Sequence, residues 1–546
     1  MVFNSLTYAI FFVVVLAIYH SSRHRAQNAI LLIASYVFYG WWDLRFLFLI
    51  ALSTTFDYWA GLLINNGYLT KREKLLPAIS LSCVGFVSLG ISYGGTLTSP
   101  RLGIETLQLA YLCGGLAIFI VAAGLFYRLA SAFTGERRRT LVLVASICQN
   151  LVILGFFKYF NFFISSAATA LEAIGFEAHL TTLYIALPIG VSFYTFQSIS
   201  YSIEVYQRKV APSSRFLDFA LFVSYFPQLV AGPISRASAL LPQILSARAV
   251  TYDQISSGIF LILFGLFKKV GIADGLSRPV DQLFSATGAP AWADVMAGTF
   301  YFAIQIYCDF SGYSDIARGS SKLLGIELIV NFNLPYFSRN PQEFWRRWHI
   351  SLSNWLRDYL YIPLGGNRGS TIKVYATLMT TMILGGLWHG AAWNFVLWGF
   401  YQGLMLCVHR AITPSGSRVP GTLAASSAVN PAVLLLRVIQ TGLFFGAVCY
   451  GWLLFRSGSL PQIVQFTAIL LQDFGNLHLT ISTPRLSSLI GIPVLAAIEL
   501  AQFATGDHDV HRRLALPLRG ALFALLTALL IMGMSNESTQ FIYFQF

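Results

Sequence analysis

Two histidines stand where chemistry inside a membrane could use them. His349 lies in Asn340–Ile362, which reads NPQEFWRRWHISLSNWLRDYLYI, and His389 lies in GGLWHGAAWN, residues 385–394. Imidazole titrates near neutrality and can take a proton from a hydroxyl, so a histidine in an apolar segment suits general-base catalysis. An ionisable side chain in such a segment is a functional candidate by default. Structural readings compete with this: His349 packing in an interfacial anchor, and His389 satisfied by a backbone carbonyl at a helix end.

The spacing indicates how each histidine must be positioned. Trp345, His349, Leu352 and Leu356 recur at helical intervals, which predicts one amphipathic helix with Arg346, Arg347, Asn354, Arg357 and Asp358 largely off its apolar face. Tryptophans and arginines on such a helix suit the membrane interface. His389 falls in an apolar run from Val374 to Cys407. One helix of that length would measure about 50 Å, so a break or hairpin is expected near Gly385–Gly390. Irregular backbone at that depth is tolerated only inside protein or beside a wet cavity. Trp388 and Asn394 flank His389 as candidate substrate contacts, Asn394 as a hydrogen-bond donor. Arg346 and Arg347 are candidates for steering an anionic donor. Asp309, ending YFAIQIYCDF, is a further candidate with no specific role. Asp315 and Arg318 have the spacing of an intrahelical pair, and Lys158, Lys268 and Lys269 are expected to snorkel.

The elements around these residues follow from composition. Hydrophobic residues fill 56% of 546 positions and charged ones 11%, with mean hydropathy +0.65. A soluble domain is about a quarter charged, so this chain lacks the polar surface to cover itself. The fold class is all-α: one multi-pass transmembrane bundle of about 11 to 15 spans, some re-entrant or interfacial. Candidate spans run from 2–20, 27–42, 44–64 and 75–93 to 516–534. The basic clusters Arg23–Arg25, Lys71–Lys74, Arg137–Arg139 and Arg208–Arg215 follow spans one, three, five and seven. They therefore fall on one side, and the positive-inside rule makes that side cytoplasmic and the N-terminus external. The first apolar run has no basic residue ahead of it and suits a retained span. The Ser/Ala/Pro-rich stretch 413–430 comes nearest to a linker.

Other chemistries are excluded. Six cysteines stand singly, supporting neither a disulfide framework nor a metal site. No soluble basic domain exists to bind nucleic acid. No histidine precedes an aspartate by five positions. GISYG (90–94) lacks the strand-to-helix setting of a nucleophile elbow, and phosphate-binding glycine loops are absent.

Six segments carry a family resemblance: GFFKYFNFF (155–163), PIGVSFYTFQSISYSIEVY (188–206), YFPQLVAGPISR (225–236), YCDFSGYSDIARG (307–319), FWRRWHISLSNWLRDYLYIPLGGNR (344–368) and GGLWHGAAWNFVLWG (385–399). In type and order they resemble the membrane-bound O-acyltransferases, in the bacterial branch that holds the membrane component of alginate O-acetylation. The N-terminal region and FIYFQF (541–546) add to the likeness. The resemblance implies an inner-membrane enzyme passing acetyl groups outward through a central channel in the bundle. His389 matches the histidine treated as catalytic, and His349 the second histidine, nearer the cytoplasmic mouth. Acetyl-CoA is the expected donor. The acceptor is an exported polysaccharide, reached through a periplasmic acetyltransferase partner. Within the single membrane domain 1–546, residues 140–411 form the signature core and 432–546 the C-terminal spans. Residues 65–139 depart from the pattern as an apparent insertion with two extra spans, which puts alginate itself in doubt. Two other readings are a transfer from a carrier protein and a transporter of glycan or lipid.

Overall fold

The computed structural model describes residues 1–96, 99–104, 106–176, 182–183, 185–286, 288–413, 431–535 and 541–542, with backbone only within 90–108. The 413–430 stretch beyond Thr413, and FIYFQF beyond Ile542, lie outside the described residues. By packing, the chain divides into two compact units. The first comprises Met1–Tyr252 with Ser321–Leu328, and the second Asp253–Ser320 with Ile329–Phe546.

The first unit is built from α1 (Leu6–His20), α2 (His24–Gly40), α3 (Leu47–Asn65), α4 (Lys71–Gly85), α5 (Thr106–Ser131), α6 (Gly135–Leu154), α7 (Phe160–Ala173), α8 (Val191–Tyr206) and α9 (Phe216–Ser224), with shorter pieces following. Helix α3 is one of the interior helices, with α8 and α9. Its Asp57 carboxylate accepts hydrogen bonds from Ser53 Oγ at 3.2 Å, Ser146 Oγ at 2.7 Å and Asn150 Nδ2 at 3.0 Å, which ties α3 to α6. The expected span 75–93 is shorter than its apolar length. Helix α4 ends at Gly85, one π-helical turn carries it to Gly90, and Ile91–Thr96 then pairs antiparallel with Ser99–Ile104. This hairpin departs from the all-helical expectation where Gly94, Gly95 and Pro100 disfavour helix.

The basic clusters gather as their alternation predicts. Arg138 lies over Gly67, Arg139 donates to the Tyr206 carbonyl, and Arg25, Arg72 and Arg215 line one cavity.

In the second unit, Tyr252–Phe284 runs as one helix with a π-helical stretch at Phe267–Ala273. The extra residue of a π-turn rotates side chains off the regular face. Lys268 and Lys269 consequently do not snorkel. Both are buried: Lys268 pairs with Asp315, and Lys269 lies 2.8 Å from Asp274 and 2.6 Å from Asp309. The intrahelical pair Arg318–Asp315 forms at 3.3 Å.

The apolar run 374–407 breaks as its length requires, into Thr371–His389 and Trp393–Ile412. The two helices touch backbone to backbone. A Cβ on Gly386 would stand 2.2 Å from the Phe395 carbonyl oxygen, and one on Gly399 2.4 Å from that of Met382. Among the described residues, eight helices are long and apolar enough to cross a membrane. Leu6–His20 and Leu460–Gln472 are shorter apolar helices.

The hairpin gives a direct test. Gly386→Val should lower the thermal midpoint of the purified protein, consistent with an overpacking cost of about 1–3 kcal/mol. Gly442→Val, which meets open space, should leave the midpoint unchanged in the same melting assay.

Candidate active site

The single amphipathic helix expected over 340–362 is broken in three. Pro341–Trp345 forms a short helix, His349 begins another at Ile350–Leu356, and a π-helical turn follows at Arg357–Tyr361. The periodicity reports burial in part: His349, Leu352 and Leu356 are buried and Arg346 and Arg357 exposed, but Trp345 is half-buried, and Trp348, Ser351 and Trp355, off that face, are buried as well. The break arises at His349, whose φ of 42° is left-handed. That conformation costs a non-glycine residue about 1–3 kcal/mol and persists only where surroundings enforce it.

Asn331 does the enforcing. Its carbonyl accepts from Ile350 N at 2.9 Å, and two residues on Asn333 N donates to the Arg347 carbonyl at 2.9 Å. Its side-chain Oδ1 lies 3.2 Å from His349 Nδ1, 3.2 Å from Ser351 N and 2.9 Å from Ser351 Oγ. Its Nδ2 donates to Ser314 Oγ at 3.3 Å. These contacts fix the tautomer. A backbone N–H can only donate, so the atom facing Ser351 N is the amide oxygen and not the nitrogen. The same oxygen faces His349 Nδ1, which must therefore carry the proton. The imidazole lone pair then lies on Nε2.

Aromatic rings enclose both histidines. His349, fully buried, meets Phe310 edge-on at 4.7 Å and Trp388 at 5.9 Å. His389 meets Trp388 at 5.0 Å, Trp398 at 5.1 Å and Phe455 at 5.4 Å. Trp388 thus touches both imidazoles and brings two histidines from separate motifs into one cluster. His389 is the last residue of its helix, where Gly390 turns the chain. The segment holding His349 lies outside the long apolar helices, and burial pushes its imidazole down to about 3.

The remaining candidates take other contacts. Asn394 Nδ2 donates to the Phe455 carbonyl at 3.0 Å and so positions the ring beside His389. Arg347 pairs with Glu343 at 2.9 Å, and Arg346 is exposed. Asp309 is buried against Lys269 and accepts from Ile542 N at 2.7 Å. Asn331, Trp398 and Phe455 were not visible as site residues in the sequence. For Asn331 the one available signal was a polar side chain in a chain that has few.

Long apolar helices and two histidines packed among aromatic rings make this a multi-pass helical membrane protein with a buried histidine cluster. Residues 133–422 match the membrane-bound O-acyltransferase family model. The chain is 37% identical over 506 residues to the probable alginate O-acetylase AlgI of Pseudomonas aeruginosa, covering 92% of this chain and 81% of that one. It is 36% identical over 523 residues to the probable alginate O-acetylase AlgI of Azotobacter vinelandii, covering 95% and 87%. It is 36% identical over 353 residues to the peptidoglycan O-acetyltransferase of Helicobacter pylori, covering 60% and 64%. The chain belongs to the membrane-bound O-acyltransferase family and is an O-acyltransferase.

Asn331 supplies the test of this geometry. Asn331→Ala removes the acceptor for Nδ1–H and should lower kcat about tenfold to a hundredfold, on the scale of a lost buried hydrogen bond. Asn331→Asp keeps an acceptor but adds negative charge, which favours the imidazolium and raises the His349 pKa. The wild-type His349 stays neutral above about pH 5, so only the Asp variant should lose activity between pH 8 and pH 6 on its account. Rate–pH profiles of the three proteins check this.

Proposed function

We propose that the protein moves acetyl groups from cytoplasmic acetyl-CoA toward hydroxyls of an exported polysaccharide, with His389 as general base. The observation that carries the reading is the contact of one tryptophan, Trp388, with both histidines. The relatives' names, alginate O-acetylase and peptidoglycan O-acetyltransferase, support acetyl as the group and a polysaccharide as its destination.

In this reading an acceptor hydroxyl oxygen attacks the thioester carbonyl carbon while His389 takes the hydroxyl proton. The tetrahedral intermediate collapses, the C–S bond breaks, and the proton passes from His389 to the departing thiolate. His349 accepts a hydrogen bond at Nε2 and orients the acceptor. The aromatic walls exclude water, which would otherwise hydrolyse the thioester. The end of the first unit that gathers Arg25, Arg72, Arg138 and Arg215 is the cytoplasmic one by the positive-inside rule. In this reading Met1, at the other end of α1, faces away from the cytoplasm. A periplasmic acetyltransferase partner receives the group before the polymer does.

The test is O-acetyl content of exported polysaccharide, measured by NMR in a deletion strain complemented with wild type or His389→Ala. Acetylation should fall about 100-fold or more in the variant, at unchanged protein level in the membrane. Full acetylation by His389→Ala would overturn the mechanism. Purified wild type given acetyl-CoA and a hydroxyl acceptor should release CoA as the acceptor is acetylated, and activity only with an acylated carrier protein would replace the donor.

A further inference from the structure

The basic end of the first unit holds a cavity of about 470 Å³ lined by Arg25, Arg72, Arg215, Tyr58, Thr70, Glu73, Ser214 and three apolar residues. The three arginines come from the starts of three separate helices: Arg25 in the first turn of α2, Arg72 in the first turn of α4, and Arg215 immediately before α9. Arg25 and Arg72 carry no hydrogen bond or ion pair among the described residues. Arg215 is half-exposed and reaches Asp218 only at 3.4 Å. The one carboxylate in the lining, Glu73, is occupied: its Oε2 accepts from Thr70 N and Thr70 Oγ1, both at 2.7 Å, in a capping box. Tyr58, whose hydroxyl donates to the Ser214 carbonyl at 3.0 Å, fixes one wall. The cavity is therefore a preformed concavity with net positive charge and two guanidinium groups lacking protein acceptors. Guanidinium forks match the oxygens of a phosphate ester.

The apolar lining identifies the source. Leu76 and Leu217 border the arginines and are themselves exposed, 38% and 42%. An occupant must offer a phosphate to the arginines and hydrocarbon to the leucines. We propose that this cavity is a binding site for a phosphate ester, and that its occupant is an anionic phospholipid whose headgroup meets Arg25, Arg72 and Arg215. The site is separate from the histidine cluster, and its test does not rest on the acetyl-transfer reading.

The experiment is native mass spectrometry of the full-length protein released from detergent with added phosphatidylglycerol, phosphatidylcholine or inorganic phosphate. Wild type should retain phosphatidylglycerol in preference to phosphatidylcholine. The double variant Arg25→Gln/Arg72→Gln should retain about tenfold less, since each basic side chain near a membrane surface contributes measurably to anionic-lipid affinity. Both side chains are exposed, so the variant should fold, and an unchanged thermal midpoint in detergent confirms that. Arg137→Gln removes one charge from the same end without touching the cavity and should bind like wild type. An equal loss in Arg137→Gln would show a diffuse surface field and overturn the site. Displacement of the lipid by millimolar inorganic phosphate would overturn the lipid as occupant.

Discussion

Backbone amides and carbonyls cannot go unpaired in a medium without water, and this requirement governs the second unit. Helices meet it internally, but the chain around His349 is not regular helix, so it borrows. Asn331 closes the gap twice, with its carbonyl on Ile350 N and its side-chain oxygen on Ser351 N. The same oxygen faces His349 Nδ1. Pairing the backbone and fixing the tautomer are thus one act by one residue, and the strained φ at His349 is held by it.

Aromatic packing completes the enclosure. Phe310, Trp388, Trp398 and Phe455 meet the two imidazoles mostly edge to face, the arrangement that ring quadrupoles favour. Rings of this kind pack around an imidazole without supplying strong competing hydrogen-bond acceptors. Among the described residues, polar contacts here include Asn331 and Ser351 at His349 and Asn394 holding the Phe455 carbonyl.

Much of this was legible in the sequence because hydrocarbon enforces simple rules. The break at Gly385–Gly390 followed from length alone, and the burial of His349, Leu352 and Leu356 from periodicity. The gathering of Arg25, Arg72, Arg138 and Arg215 followed from alternation of basic loops. The failures have a common cause. Periodicity records which residues are buried but not whether the backbone between them is continuous, so the break at His349 was invisible. Asn331 acts across 18 residues of chain, and no spacing rule links it to its histidine. Lys268 and Lys269 were assigned to the interface because their acidic partners, Asp315, Asp274 and Asp309, could not be paired with them from sequence.

The anchoring of Asp309 bears on how the protein is made. Its carboxylate is made with the helix Trp292–Leu323, while Ile542, whose amide it accepts, lies 233 residues further along. For the time that stretch takes to be synthesised, the carboxylate must be neutralised by something already present. Lys269 precedes it in the chain and lies 2.6 Å away in the finished fold. The helix of Lys269 also carries Asp274, 2.8 Å from the same ammonium, so one lysine meets a carboxylate from its own helix and one from the next. The order of residues along the chain thus supplies the counter-ion before the charge that needs it, and the late arrival of Ile542 tightens a pair already formed.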